Sequence, residues 1–311
     1  MSLRTQDPRP ATLKLARRRL LLAGVALLGT PPAHAAAPGP QVHDDSGALL
    51  RLAEPARRIV ALSPQLVELC FAAGAGPRLV GAVRGADQPA AARRLPRVGD
   101  AFGINLEALA MLRPDLILAW RSGTPPRQLA ALRRLGIPVY WSETRRLRDI
   151  ATTVLRIGTL AGTEATAGAW AAGYLRRLHA LRAAQRGAPP VRVFWQVWPQ
   201  PLMTIGGVQL IDRAIRLCGG VNVFGELSTT APQVSREAVL QRDPQLIVAA
   251  TPDTHALQGW KEFPQLSAVR HDRLVLLDPE GLPRMGAHTL DGVRQLCQAI
   301  DTTRRRLALA R

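Results

Sequence analysis

Six short apolar runs punctuate the chain: "RIVALS" at 58–63, "DLILAW" at 115–120, "IPVYWS" at 137–142, "VRVFWQVW" at 191–198, "QLIVAAT" at 245–251 and "RLVLLD" at 273–278. Each is too short for a core helix and is rich in branched or aromatic residues, the pattern of a buried strand. Helical segments alternate with these runs. Strand–helix alternation predicts parallel sheets covered by helices, and two sets of runs predict two Rossmann-like α/β lobes of common plan.

The two sets share a repeat. "NLEALAMLRPDLILA" at 105–119 returns as "SREAVLQRDPQLIVA" at 235–249, with six of fifteen positions identical, Glu107/Glu237 and Pro114/Pro244 among them. In each copy a polar residue, Asn105 or Ser235, is placed to accept backbone N–H bonds from a starting helix. Proline then stops the helix, because it restricts the residue before it and cannot continue the ladder. A glutamate in the first turn complements the helix N-terminus by about 0.3–1 kcal/mol. That effect alone accounts for one glutamate in each copy.

Between the sets lies "TEATAGAWAAGYLRRLHALRAAQRG", 163–187. Thr163 and Glu164 mark a helix start, and Gly187 with Pro189-Pro190 mark its end. Leu175, Leu178 and Leu181 form the expected core-facing stripe. At 1.5 Å per residue the helix is ~35 Å long and acts as a stiff connector. Near the start, "QVHDDSGALLRLA" reads as a hairpin turning at Asp-Ser-Gly. The expected organisation is a leader at 1–35, an N-terminal lobe at 36–162, a linking helix at 163–187, a C-terminal lobe at 188–303 and a basic tail at 304–311.

Residues 1–35 read as a secretory signal peptide. Lys14 and Arg17 to Arg19 precede a short apolar run, Leu20 to Leu28, and Ala33-His34-Ala35 supplies a small-x-small cleavage site. The run is too short to span a bilayer. The triple arginine raises twin-arginine export, but the leader fits Sec export better. No cysteine stands at the cleavage site to carry a lipid anchor, so a periplasmic protein is expected. Removing the leader's six Lys/Arg and one Asp lowers the net charge from +18 to +13. The remaining basic residues are scattered arginines, which reads as a solvated basic surface with some attraction for anions, not a nucleic-acid interface. An oxidising compartment permits a disulfide. Cys218 and Cys297 share the second half while Cys70 sits in the helical run "VELCFAAG", which favours pairing the first two; sequence leaves the connectivity open.

Ligands of open parallel sheets gather beyond the carboxyl ends of the strands. Ser63 and Pro64, Trp120 and Arg121, Trp198, and Thr251 and Pro252 hold those positions, whereas Trp195 lies mid-strand and reads as core. Arg284, in "GLPRMGAH", has no core periodicity and is expected to meet ligand or solvent, with Glu280 as its alternative partner. His255, His271 and His288 match no metal-ligand spacing. The chain has no HExxH, GxSxG, Walker A or CxxC motif, which argues against an enzyme.

Five stretches, "LSPQLVEL", "GINLEALAMLRPDLILAWRSG", "LGIPV", "APQVSREAVL" and "RLCGGVNVF", resemble the class III periplasmic substrate-binding proteins of ABC importers for cobalamin, haem and ferric siderophores. The likeness runs from about Arg57 to Asp301, and Trp120-Arg121 ties it to the cobalamin branch. The resemblance implies two α/β lobes bridged by one long helix, and no enzymatic activity. It implies a monomer that hands its ligand to a permease and ATPase complex in the inner membrane. Glu107 and Glu237 match the two glutamates that dock onto permease arginines, and Cys218 and Cys297 match a bonded pair. The ligand implied is cobalamin or a related corrinoid, with no resident cofactor or metal. Its expected contacts are Ser63, Pro64, Phe102, Trp120 and Arg121 in the first lobe, and Trp198, Met203, Glu280 and Arg284 in the second. The chain departs from the branch at Gln88, Ala101, Ala231 and Glu280-Gly281, where aromatic rings are usual; Phe102, Trp195 and Trp198 are the rings nearest to refilling the space. The alternatives are haem or a ferric siderophore, the latter with Arg84, Arg121 and Arg284 meeting an anionic chelate. An alternative of another class is a periplasmic enzyme or sensor partner on the same scaffold.

Overall fold

In the computed structural model the described residues are 39–100, 103–185 and 187–309. The expected leader, Phe102 and the last two residues of the tail lie outside them. The hairpin forms as expected: β1 (Gln41–His43) pairs antiparallel with β2 (Leu49–Arg51).

The first sheet follows. Its elements in chain order are β3 (Ile59–Ala61), α1 (Pro64–Ala72), β4 (Leu79–Ala82), α2 (Leu106–Met111), β5 (Leu116–Trp120), α3 (Pro126–Arg134) and β6 (Val139–Ser142). All pairings are parallel, in spatial order β4-β3-β5-β6. Ile59, Val60, Ala61 and Leu116 to Ala119 are wholly buried. Helices cover both faces of this sheet, which is why its strands read as unbroken apolar runs rather than alternating ones.

Two helices carry the chain across. Gly162, in the left-handed region at φ 60°, ends α4 (Leu147–Ala161), and α5 (Glu164–Ala184) begins two residues later. A Cβ at Gly158 would stand 2.4 Å from Ala167 Cβ, so glycine is required for the two helices to pack this closely. The buried face of α5 is Ala167, Ala171, Tyr174 and Leu178, at i, i+4, i+7 and i+11. This corrects the leucine stripe expected from the sequence: Leu178 is buried and Leu181 half-buried, but Leu175 is 37% exposed. Small residues won the contact face because they let α4 approach. The helix is ~31 Å long at 1.5 Å per residue.

The second sheet repeats the first. β7 (Val191–Gln196) runs into a small hairpin, β8 (Trp198–Pro199) and β9 (Leu202–Met203). Then come α6 (Leu210–Leu217), β10 (Gly220–Asn222), α7 (Arg236–Arg242), β11 (Leu246–Ala250), α8 (Ser267–Arg270), β12 (Leu274–Leu277) and α9 (Thr289–Leu309). The order is β10-β7-β11-β12, again all parallel. In both sheets the second strand lies outside the first and the third returns to its other side. Each sheet therefore has a topological switch point, where a crevice opens beyond the strand ends.

Cys218, which follows α6, is bonded to Cys297 on α9, and Cys70 is a buried free thiol. The bridge closes a loop of 79 residues. Replacing both cysteines by alanine is expected to cost about 2–5 kcal/mol. Urea unfolding of the variant and of the oxidised parent checks this, and equal midpoints would refute it.

Candidate functional site

The repeated segments place equivalent groups at equivalent points. Asn105 Oδ1 accepts the N–H of Ala108 at 2.9 Å at the start of α2, and Ser235 Oγ accepts that of Ala238 at 3.1 Å at the start of α7. Glu107 and Glu237 are exposed in the first turns of these helices. Backbone N–H donation at the helix start and the Ser235 hydroxyl hold the Glu237 carboxyl below the usual range. Each helix runs back toward the start of the strand after it, so each glutamate stands at the end of its sheet where the strands finish.

A cavity of about 560 Å³ opens between the two strand-end edges. The first half contributes Trp120, Ser122, Glu143, Thr144 and Arg145; the second contributes Gly207, Val208, Gln209, Leu210, Arg213, Thr230 and Met285. Two further grooves, of about 620 and 600 Å³, run along α4, α5 and α6 and carry several arginines. Both share Arg213 with the cavity beside Trp120, and the larger also shares Glu143 and Arg145, but neither reaches Trp120 or Met285. The 560 Å³ cavity occupies the crevice that the switch points create.

Trp120 closes one wall. Its ring lies over Gly123, where a Cβ would come within 2.0 Å of it, and Thr124 Oγ1 donates to the Trp120 carbonyl at 2.6 Å. Glu143 is held from below: its carboxylate accepts the Ser122 N–H at 3.0 Å and the Ser122 hydroxyl at 2.9 Å. Arg145 and Arg213 approach from opposite halves, and neither side chain has a carboxylate partner among the described residues. The cavity thus combines an indole face, a thioether and two free guanidiniums, a set suited to a flat apolar body with polar or anionic edges.

The other expected contacts are placed differently. Ser63 is buried at the start of α1 with its hydroxyl unpartnered, and Pro64 is the first residue of that helix. Arg121 is exposed. Trp198 is 58% exposed and stands opposite Met203 on the β8–β9 hairpin, directly beyond the end of β7. Trp195 is core, as its mid-strand position implied. Among the described residues no cluster of three His, Cys, Asp or Glu side chains is arranged to hold a metal ion.

Arg284 is taken up by the protein. Its Nε lies 2.7 Å from Glu68 Oε1 on α1, Nη1 donates to Glu280, and Nη2 donates to the Gly85 carbonyl at 2.8 Å. The neighbouring Ala287 N–H also donates to Glu68, at 3.1 Å, and Gly286 packs against the carboxylate so closely that a Cβ would meet it at 2.2 Å. Arg284 therefore ties the loop after β12 to the first half of the molecule instead of standing free in the crevice, and Glu280 is its partner. Sequence missed this because Glu68 is 216 residues away and sits in an ordinary apolar helix. Met285, held at φ 56°, reaches the cavity in its place.

Residues 59–280 match the family model described as periplasmic binding protein. A vitamin B12-binding protein of Vibrio cholerae serotype O1 is 37% identical over 246 residues, 78% of this chain and 88% of the relative. The solved periplasmic vitamin B12 binding protein of Vibrio cholerae superposes with a TM-score of 0.75 at 35% identity, covering 80% of this chain and 98% of that one. A periplasmic heme binding protein from Pseudomonas aeruginosa superposes at 0.67 with 26% identity, covering 79% and 92%.

Glu68 is 3% exposed, and burial raises its pKa against the pull of Arg284. Arg284→Met leaves that carboxylate unpaired and is expected to cost about 3–5 kcal/mol near neutrality. A raised folded-state pKa means that the fold favours the protonated acid. That contribution is complete below the unfolded value near 4.5 and lost as pH rises through the folded value. The cost of Arg284→Met therefore shrinks as pH falls toward 4.5. Urea unfolding of both proteins across this pH span measures it, and a pH-independent difference would contradict the pairing.

Proposed function

This chain belongs to the periplasmic binding protein family, and from that premise we propose that it captures cobalamin or a related corrinoid between its two halves and delivers it to an ABC permease. The family consists of solute-binding proteins that work with ABC transporters, so the chain is a binding protein and not an enzyme, and its ligand is bound cargo, not a cofactor. The observation that carries the reading is the crevice walled by Trp120 in a chain 37% identical to a vitamin B12-binding protein.

In this reading the flat face of the corrin stacks on Trp120, with Met285 against it. Trp198 and Met203, paired on the hairpin just beyond β7, add further contact surface in this reading: an indole left 58% exposed is a large apolar surface for a partner. Arg145 and Arg213 meet the ligand's phosphodiester and amide carbonyls from opposite sides. The periplasm supplies the compartment in which the Cys218–Cys297 bond persists. Glu107 and Glu237, on corresponding helices of two related sheets, present matched carboxylates to the two-fold symmetric permease, where arginine pairing fixes the register of docking.

Titration of the purified protein with cyanocobalamin, haemin and ferric siderophores, followed by tryptophan fluorescence, tests the ligand. Saturable quenching by cyanocobalamin is expected; quenching by haemin or a ferric chelate alone would reassign the cargo. Trp120→Ala is expected to weaken cobalamin binding by about tenfold or more. The double variant Glu107→Ala/Glu237→Ala is expected to abolish uptake in cells while leaving the affinity of the purified protein unchanged. An equal loss of affinity would remove the docking role.

A further inference from the structure

We propose that the outer edge of the second sheet carries a site for a small oxyanion, separate from the ligand crevice and built on Arg273. The residue stands immediately before the edge strand β12, with α9 packed across it. The residue is 3% exposed, and its Nε and Nη1 are buried without a hydrogen-bond partner among the described residues. A cavity of about 300 Å³ lies against it, lined also by Arg306, Gln295, Gln298, Thr302 and Thr303. None of these residues lines the crevice beside Trp120.

A guanidinium does not shed its proton to escape burial, so it needs an acceptor. Elsewhere this chain supplies one. Arg156 meets Asp45, Arg284 meets Glu68, and Arg304 meets Asp301. Arg273 has no carboxylate within ion-pair distance among the described residues. Asp272 lines the same cavity but is exposed and pairs with neither arginine. Burial first, and then the charge of Arg306, push the Arg273 pKa down, with no compensating anion acting on it. Two guanidiniums, two amides and two hydroxyls around a small cavity form a donor set for phosphate, sulfate or a phosphate headgroup. The volume is at the lower end for a small-molecule site and suits a single oxyanion with its water.

The test uses the mature protein at constant ionic strength, with inorganic phosphate exchanged for chloride. A saturable rise in Tm with phosphate is expected, following the mass-action form for a ligand that binds only the folded state. Arg273→Met should abolish that rise and should lose no stability in phosphate-free buffer. Arg306→Gln, at an exposed position, should weaken the phosphate response about tenfold. Co-sedimentation with phosphatidylglycerol vesicles forms a second arm. Binding to vesicles but not to free phosphate, lost in both variants, would assign the oxyanion to a lipid headgroup. The proposal is overturned if neither probe binds, or if binding survives both substitutions. Should Arg273→Met fail to fold, an unchanged response in Arg306→Gln is sufficient to overturn it.

Discussion

The contact on which the molecule's geometry depends is that between α4 and α5. Gly158 lets Ala167 come so near that no larger residue fits at either position without moving a helix. Interiors packed at this density resist sliding. The helix that crosses between the sheets is therefore not a free rod; along its buried face it is clamped to the last helix of the first half. The separation of the two strand-end edges, and with it the width of the crevice, is set largely by that packing.

The second constraint acts across the crevice itself. Glu68 and Arg284 come from opposite halves and neutralise each other in a buried setting. Such a pair adds little net stability over an apolar contact, because desolvation offsets most of the attraction. Its value lies in register: the guanidinium's fixed fork also engages Glu280 and the Gly85 carbonyl, so the loop after β12 can seat in only one way. That seating carries Met285 into the cavity wall. Spacing by packing and register by charge together fix the walls of the crevice, and for the function proposed above such fixed walls lower the ordering cost of binding.

Charge is distributed with the same economy. Among the described residues the crevice leaves Arg145 and Arg213 without carboxylate partners, the starts of α2 and α7 carry Glu107 and Glu237, and the edge near α9 buries Arg273. A strongly basic chain could have placed these groups anywhere on its surface. Their positions at strand ends, helix starts and a closed edge are where backbone geometry leaves room for a partner.

Most of the architecture could be read from local pattern. Buried parallel strands have to be apolar on both faces, so they appear as short runs such as "LILA" and "LIVA"; helix starts need side-chain acceptors, so Asn105 and Ser235 were visible; and proline at 114 and 244 marked where each helix gives way to a strand. Trp120 was likewise legible, because a strand end is a position along the chain. The face that α5 buries, the partner of Arg284, the approach of Met285 to the cavity and the isolation of Arg273 were not. Each depends on residues tens to hundreds of positions away meeting in space, and on which of several candidates is small enough, or charged enough, to occupy the contact. Pattern along a chain records what each segment requires of its surroundings; only the packed structure decides which other segment meets that requirement.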